Sequence, residues 1–314
     1  MKNNFVISLM GPTASGKTNL AMHLYDQLNA EIISVDSAMI YKGMDIGTAK
    51  PTLSELKAYP HHLIDIVDPS ETFSVSDFLK AIKPIIDQCH RNGKIPILVG
   101  GTMMYFNAFM HGLTELPQAS DVIREQLVNE INKHGLTYLH QKLSEVDPVS
   151  AKTIKPTDPQ RIIRALEVYQ LTNQPMSQLW LSAKTHALSS QYTIIQLALL
   201  PDDRSLLHQL IAKRFQNMIE LGFIDEVKQL FQREDLNDLL PSIRSVGYRQ
   251  MWAHLTGKLS YSEAIEKSII ATRQLAKRQI TWLRHWQSDF FVQNPFDVQL
   301  NSKVMNYLGE KIVI

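Results

Sequence analysis

The sequence predicts an α/β fold, in which helices flank a parallel sheet and a helical segment interrupts the order of the strands. The sheet is predicted by short apolar runs, rich in β-branched residues, that alternate with helical patterns over residues 1–115. The first run leads into a glycine-rich loop and then a helix, an order typical of parallel α/β proteins. The strand signal disappears over residues 117–190, where amphipathic helical patterns replace it. We therefore expect two domains, one formed by residues 1–116 with 191–314 and the other by residues 117–190.

Four strands are predicted in the first half of the chain, at Phe5–Met10, Glu31–Val35, His62–Val67 and Ile95–Val99. The helical pattern after the first strand begins near Asn19. Ligands of open parallel sheets bind outside the carboxyl ends of the strands. The residues that follow these runs are therefore the first candidates for a functional site.

Charged amphipathic patterns at Asp121–Lys133 and Asp158–Leu171 predict helices in the insertion. The second pattern has an explicit start, because Asp158 can cap the free amides and Pro159 suits the first helical position. The β-rich run Thr193–Leu199 then returns the chain to the sheet. Further helices are predicted at Arg204–Gly222, Ile224–Arg233 and Tyr261–Trp286.

The charge of the chain is almost balanced, with 32 Lys and Arg against 31 Asp and Glu among 314 residues. Nucleic-acid binding through bulk positive charge is therefore excluded, and any such binding must come from local clusters. The single cysteine, Cys89, excludes an internal disulfide and predicts a small core side chain in a reducing compartment. The histidines lack metal-ligand spacing, so we expect no metal site built from protein side chains alone. Without a leader or a long apolar run, we expect a cytoplasmic monomer with no membrane partner.

The motif GxxxxGK(S/T) directly follows the first predicted strand and precedes a helix. Its glycines allow backbone amides to approach an anion at the positive end of the helix dipole. Lys17 adds a charge, and Thr18 offers a hydroxyl to a Mg²⁺ that bridges phosphate oxygens, so the motif predicts a ligand with two or more linked phosphates. The predicted phosphate-binding residues are Gly11, Pro12, Thr13, Ala14, Ser15, Gly16, Lys17 and Thr18.

Two other strand ends carry candidate chemistry. Asp36 follows the second predicted strand, where its carboxylate can hold a metal or accept a proton; a turn or cap is the structural alternative. The fourth strand runs into Gly100, Gly101 and Thr102 where an aspartate usually supports nucleotide-bound Mg²⁺, which argues against a simple ATPase. These three residues can offer amides and a hydroxyl to a reacting group, or form a turn with no further role.

Two stretches near the C-terminus, Pro241–Lys258 and Ala271–Trp286, are basic and contain no acidic residue. In the second, which is predicted to be helical, Arg273, Lys277 and Arg284 fall within about 40° of one another at 100° per residue. Such a stripe can bind a phosphate backbone or form an ordinary solvated face. Interleaved Trp and His residues favour the first interpretation.

Longer blocks of the chain resemble the bacterial tRNA dimethylallyltransferases, the tRNA isopentenyltransferase family. The blocks lie in order between residues 11 and 284, and the longer ones are far more specific than the glycine-rich loop alone. They are GPTASGKT at 11–18, DSAMIYKGMDIGTAKP at 36–51, VGGT at 99–102, DPQRIIRALEVY at 158–169, RSVGYRQMW at 244–252 and ATRQLAKRQITWLR at 271–284.

The resemblance implies transfer of a dimethylallyl group from dimethylallyl diphosphate to N6 of the adenosine immediately 3′ of the anticodon in tRNA, with release of diphosphate. It implies a P-loop core, a Mg²⁺ cofactor and a helical insertion that contacts tRNA. In the family pattern Asp36 contacts the adenine N6 as general base, Thr102 hydrogen-bonds within the reaction centre, and Lys17 neutralises the leaving group. Arg214 is a further candidate clamp for the diphosphate.

The resemblance also implies a set of residues on the tRNA side. Because the target adenine has to leave its stack to reach a buried diphosphate, we expect base flipping. The expected tRNA contacts are Asp36, Ser37, Ala38, Met39, Arg124, Gln160, Arg161, Ile162, Ile163, Arg164, Arg244, Ser245, Val246, Gly247, Tyr248, Arg249, Lys277, Arg278, Gln279, Ile280, Thr281, Trp282, Leu283 and Arg284.

Two other classes of protein account for part of the sequence. A P-loop kinase of a small metabolite explains the glycine-rich loop and the α/β half but leaves the later blocks unexplained. Such an enzyme would consume ATP without tRNA. A non-catalytic RNA-binding module explains the basic stretches but gives Lys17, Thr18, Asp36 and Thr102 no role.

Overall fold

A six-stranded parallel sheet lies at the centre of the computed structural model, which describes residues 4–114, 116–181 and 187–312. Its strand order is β3-β2-β4-β1-β5-β6, and every neighbouring pair is parallel. The α/β fold with a parallel sheet is therefore confirmed. The strands are β1 (Phe5–Met10), β2 (Ala30–Val35), β3 (His61–His62), β4 (Ile95–Gly100), β5 (Thr193–Leu199) and β6 (Phe291–Gln293).

The described residues also form fourteen α-helices and one 3₁₀ turn, Leu188–Gln191. The helices before β5 are α1 (Lys17–Gln27), α2 (Leu53–Ala58), α3 (Val75–Arg91), α4 (Met103–His111), α5 (Asp121–His134), α6 (Leu136–Val146), α7 (Pro148–Thr153), α8 (Pro159–Thr172) and α9 (Met176–Leu181). Those after β5 are α10 (Arg204–Glu220), α11 (Phe223–Phe231), α12 (Tyr248–Leu255), α13 (Tyr261–Arg284) and α14 (Leu300–Lys311).

The central strand β1 is buried on both faces. Ile7 and Leu9 belong to one core, which includes residues of α1 and α14. Val6 and Met10 belong to the core on the opposite face, with residues of α3 and α4. Because side chains alternate along a strand, this double burial explains why the strand is a continuous apolar run. The loop that follows β1 is consequently held at the centre of the carboxyl edge of the sheet.

The chain divides into two compact units. One contains the described residues up to Met110 and those from Leu188 onward, and the other is His111–Ala187. The second unit is helical and contains α5 to α9. Its core includes Leu127, Leu139, Leu143, Ile162 and Leu166 together with other apolar side chains.

One strand prediction is wrong in extent. The strand predicted at His62–Val67 ends at His62, because Leu63 and Asp65 adopt left-handed conformations with φ of 62° and 55°. Val67 makes only an isolated parallel bridge to Tyr41. The apolar residues of this run resemble a strand in composition, but the left-handed backbone cannot continue the ladder. The strand β6 and the helix α14 were not predicted from the sequence.

Candidate active site

One cavity of about 600 Å³ collects the candidate residues of the larger unit. It lies at the carboxyl edge of the sheet, where the glycine-rich loop follows β1, Asp36 follows β2 and Thr102 follows β4. Helices α10 and α13 contribute to the wall, together with the segments 37–51 and 241–246. The polar and aromatic side chains that line it include Lys17, Thr18, Asp36, Thr102, Arg214, Arg244, Arg278 and Trp282.

The glycine-rich loop is shaped as a phosphate cradle. Ala14 and Gly16 have positive φ of 61° and 74°, which turns successive amides toward the start of α1. The Lys17 ammonium donates to the Pro12 carbonyl at 2.6 Å. Burial, and then the nearby charge of Arg214, lower the pKa of Lys17 to about 7, although Asp36 opposes the shift. An anion bound in the cradle would stabilise the charged form of Lys17.

Arg214 on α10 reaches the cradle from the other wall of the cavity. Its guanidinium approaches the Thr13 hydroxyl at 3.5 Å and the Thr48 carbonyl at 3.4 Å. Burial lowers the pKa of Arg214, and the charge of Asp36 acts in the opposite direction. Two buried cations in one cavity are costly unless a ligand neutralises them. Lys17 and Arg214 therefore indicate that this end of the cavity binds an anion.

The sequence left open whether Asp36 forms a turn or offers its carboxylate to a ligand, and the structure allows both. Its Oδ1 accepts hydrogen bonds from the amides of Ala38 at 2.8 Å and Met39 at 3.2 Å, which forms a local turn. Within the described residues no hydrogen bond reaches Oδ2, and Asp36 lines the cavity. The turn therefore orients the carboxylate without using its second oxygen. Thr102 supports the same turn, because its hydroxyl accepts from the Ser37 amide at 3.0 Å.

The two glycines after β4 are required by close packing. A Cβ at Gly100 would lie 2.0 Å from the Val35 carbonyl oxygen, and one at Gly101 would lie 2.3 Å from Nε2 of Gln279. Gln279 on α13 donates to the Gly101 carbonyl at 2.9 Å and accepts from the Thr13 amide at 2.8 Å. It therefore links the phosphate loop to the turn that carries Thr102. The sequence offered no signal for this link, because Gln279 stands among other polar residues of a helix.

Glu226 is a second functional candidate that sequence reasoning missed. Its carboxylate accepts from the amides of Asp45, Ile46 and Gly47 at 2.8, 2.7 and 3.1 Å, and from the Tyr248 hydroxyl at 2.5 Å. These hydrogen bonds hold the loop at residues 45–47, and residues 47–49 line the cavity. Residue types do not reveal that three consecutive amides face one carboxylate. The only sequence signal was the family block at 36–51, which contains these amides.

The structure corrects five of the expected tRNA contacts. Ile162, Gly247, Tyr248, Ile280 and Leu283 are buried and do not line this cavity, so they are not positioned to contact tRNA directly. Most of these residues are apolar, which is typical of buried positions. The resemblance assigned whole blocks of sequence to the tRNA side and did not distinguish exposed from buried faces. By contrast, the residues of the two basic stretches that are exposed include Arg244, Arg249, Lys277, Arg278, Thr281, Trp282 and Arg284.

Two of the expected tRNA contacts in the helical unit take part in an internal ion cluster. Glu167 is fully buried, and its carboxylate pairs with Arg124 at 2.9 Å and with Arg164 at 2.5 Å. It also accepts from the Ser120 amide at 2.8 Å, while Arg164 donates to the Pro117 carbonyl at 2.7 Å. Much of the hydrogen-bonding capacity of both arginines is therefore used to stabilise the unit.

Glu31, His62 and Cys89 lie close enough to suggest a metal site, which the sequence did not predict. Their surroundings argue against one. Lys94 already supplies a cation to Glu31 at 3.0 Å, and burial raises the pKa of the Cys89 thiol to about 12. In the sheet, Glu31 of β2 lies opposite Pro96 of β4, near the amino ends of these strands, whereas the cavity lies at the carboxyl ends. The cluster is therefore an ion pair with a buried thiol beside it.

Comparisons with known proteins agree with this geometry. A model of the IPP transferase family matches residues 39–286. The full-length tRNA isopentenylpyrophosphate transferase of Bacillus halodurans is 37% identical, with a TM-score of 0.70, over 98% of this chain and 97% of that chain. The tRNA Δ2-isopentenylpyrophosphate transferase of Staphylococcus epidermidis is 30% identical, with a TM-score of 0.68, over 99% and 100%. A eukaryotic dimethylallyltransferase acting on tRNA is 26% identical, with a TM-score of 0.79, over 98% and 79%.

A phosphate loop after the central strand, with a carboxylate and two cations in the same cavity, defines an α/β protein of the P-loop class. The family match covers most of the chain, and two solved relatives are at least 30% identical to it. The chain therefore belongs to the IPP transferase family, as its sequence blocks predicted.

Proposed function

We propose that this protein transfers the dimethylallyl group of dimethylallyl diphosphate to N6 of the adenosine immediately 3′ of the anticodon in tRNA, and releases diphosphate. The observation that carries the proposal is the single cavity in which a phosphate cradle faces Asp36. One end suits a diphosphate, and the other offers a carboxylate oxygen to an amino group. Membership of the IPP transferase family supports the same reaction.

The diphosphate end works by electrostatic stabilisation. The C–O bond of the allylic diphosphate breaks, and the electron pair stays on the leaving oxygen. Loop amides, Lys17 and Arg214 face the position where this charge develops. Because both cations are partly buried in the wall of the cavity, they interact more strongly with the leaving group than exposed cations would. Thr13, Ala14 and Ser15 shape the cradle without taking part in bond breaking.

Mg²⁺ is the proposed cofactor. The hydroxyl of Thr18 would hold it, together with oxygens of the diphosphate, and Thr18 lines the cavity beside Lys17. Hydroxyl, carboxylate and phosphate oxygens are the hard donors that suit this ion, so the residues fit it. When bound, the ion would neutralise part of the negative charge of the leaving diphosphate.

Asp36 acts at the acceptor end. As N6 forms its bond to the allylic carbon, the amino group must lose a proton, and we assign that proton to Oδ2 of Asp36. The hydrogen bonds from Ala38 and Met39 to Oδ1 keep the carboxylate in one orientation. Thr102 acts as a positioning residue, because its hydroxyl holds the Ser37 amide.

The tRNA contacts are proposed on the exposed members of the predicted set. Arg244, Arg249, Arg278 and Arg284 supply positive charge to phosphates, and the half-exposed Trp282 offers a ring to an unstacked base. In the helical unit, Gln160 and Arg161 are exposed and take the same role. We propose that this unit, with boundaries near 117 and 190, contacts the anticodon stem-loop.

The proposed substrates are tRNA and dimethylallyl diphosphate, and we propose that the enzyme acts as a cytoplasmic monomer. Within the described residues, no helix has the length and apolar character needed to cross a membrane.

The test is to mix the purified protein with Mg²⁺, dimethylallyl diphosphate and unmodified tRNA that carries adenosine 3′ of the anticodon. Nucleoside mass spectrometry should show one dimethylallyl group on that adenosine, with one diphosphate released for each group transferred. A tRNA with another base at that position is the matched control and should remain unmodified. Absence of the modified nucleoside, combined with ATP consumption without tRNA, would overturn the proposal in favour of a small-molecule kinase.

A further inference from the structure

A second cavity, of about 430 Å³, lies between α10 and α13. Its floor is apolar and includes Leu207 and Ile280, both buried. Arg204 and His208 of α10, with Arg273 and Lys277 of α13, supply its basic side chains. We call this cavity the α10–α13 groove. It has no acidic lining residue.

The α10–α13 groove and the catalytic cavity use opposite faces of α13. At 100° per residue, Arg273 and Lys277 point about 180° away from the side that carries Gln279 and Trp282. The seam between the two helices is formed by Leu207, Ile211, Ala276 and Ile280, which pack into one apolar cluster. The basic groove is therefore a separate site and cannot be explained by the diphosphate cradle.

The basic residues of the groove lack protein partners that would explain their clustering. Among the described residues, Arg204, Arg273 and Lys277 form no ion pair with a carboxylate. Nε of Arg273 is buried and has no hydrogen-bond partner. A buried donor without an acceptor is unfavourable, and nearby like charges add repulsion. An anionic ligand in the groove would offset the repulsion among these charges.

We propose that the α10–α13 groove binds a phosphate of the tRNA backbone, outside the catalytic cavity. The proposal rests on the proposed function, which requires the protein to hold tRNA while one base enters the catalytic cavity. An α-helix is about 10–12 Å across with its side chains, a width that a few nucleotides can span. A strand whose base enters on one side of α13 can therefore reach the groove on the other.

The construction of the groove favours a polymer phosphate over a small free anion. All of its lining residues come from two helices, and no glycine-rich loop contributes backbone amides. Arg204, His208 and Lys277 are exposed at the rim, so the groove is open to a ligand that extends beyond it. Phosphate contacts of this kind fix the position of a nucleic acid without reading its sequence.

The experiment uses the full chain and measures tRNA affinity as a function of salt. Arg204→Gln and Arg273→Gln are compared with the matched control Lys267→Gln, which removes one exposed charge from α13 outside the groove. We expect each groove variant to make the slope of log affinity against log salt shallower by about one. The loss of affinity should be equal for tRNAs of different anticodon sequence. Diphosphate affinity should not change.

The outcomes separate this proposal from the proposed function. If the unaltered protein prenylates tRNA but the groove variants keep its salt slope, the groove proposal fails alone. If the variants lose diphosphate affinity with an unchanged tRNA slope, the groove binds a free anion and the tRNA assignment is overturned. Arg204→Gln at the exposed rim keeps the test valid if Arg273→Gln impairs folding. Absence of prenylation by the unaltered protein contradicts the proposed function instead.

Discussion

Asp36 lines the cavity, with one carboxylate oxygen held by backbone amides and the other without a hydrogen bond among the described residues. The turn formed with Ala38 and Met39 prevents rotation of the carboxylate, so the second oxygen keeps its place before a substrate arrives. Such preorganisation avoids the cost of orienting a base during the reaction. The same cavity holds Lys17 and Arg214, whose positive charges favour a bound diphosphate.

Asp36→Asn should separate the turn from proton transfer. The amide oxygen can still accept from the two backbone amides, but the side chain can no longer take a proton from N6. We expect the single-turnover rate of prenyl transfer to fall by about 10²–10⁴, with tRNA affinity changed by less than about threefold. Asp225→Asn, at an exposed carboxylate of α11, is the control. A rate close to that of the unaltered protein would exclude Asp36 as the base.

Lys17 should affect stability in a pH-dependent way. Its pKa of about 7 in the folded protein lies below the ordinary value of 10.5. Below pH 7 the folded state carries the full cost of the buried charge, and between pH 7 and 10.5 the unfolded state binds more protons. The free energy of unfolding should therefore rise with pH in that window.

Lys17→Met removes the buried charge and should remove this pH dependence. We expect the variant to be more stable than the unaltered protein by about 1–2 kcal/mol at pH 6, with the difference shrinking toward pH 10. Urea denaturation at several pH values measures it, and Lys213→Met, an exposed neighbour of Arg214, is the control. A stability difference that is the same at pH 6 and pH 10 would contradict the assignment.

At the scale of elements, α13 connects the two cavities and the phosphate loop. One face carries Gln279 against Thr13 and Gly101, and the next turn carries Trp282 into the catalytic cavity. The opposite face forms the α10–α13 groove. The basic stripe predicted from the sequence is thus one side of a helix whose other side supports the reaction centre.

Gln279→Ala should disturb the phosphate loop without changing the charge of the site. The substitution leaves the Thr13 amide and the Gly101 carbonyl without their partner, at a cost of about 1–3 kcal/mol. We expect weaker binding of dimethylallyl diphosphate, seen as a raised KM for that substrate, while the KM for tRNA changes less. Gln216→Ala, an exposed glutamine of α10, is the matched control. Equal changes in both KM values would indicate a general loss of structure.

For the whole molecule, the division into two units predicts separable stabilities. The helical unit has its own apolar core and its own buried ion cluster at Glu167. The larger unit contains the sheet, the catalytic cavity and the α10–α13 groove. Damage to the first core should therefore leave diphosphate binding in the second unit intact.

Glu167→Gln should destabilise the helical unit by about 2–3 kcal/mol, because it leaves Arg124 and Arg164 without their buried partner. Hydrogen exchange should increase in α5 and α8, whereas diphosphate affinity should stay unchanged. Glu130→Gln, which breaks the more exposed pair with Lys142, should cost less than about 1 kcal/mol. Faster exchange throughout the sheet would show that the two units unfold together.

The sequence by itself determined the parallel sheet, the phosphate loop and the family, because apolar periodicity, glycine spacing and long residue blocks are local properties of the chain. It located Lys17 through the glycine-rich motif, and Asp36 and Thr102 because they follow the ends of strands. It did not reveal Gln279 and Glu226 as links between loops, the burial of Ile162 and Leu283, or the end of β3 at His62. These were decided only by the tertiary structure, because they depend on which distant segments meet and on backbone conformations that residue types do not specify. The basic residues of α13 show the same division. The sequence shows their positive charge, but the groove that Arg273 and Lys277 line is formed only by the packing of α13 against α10.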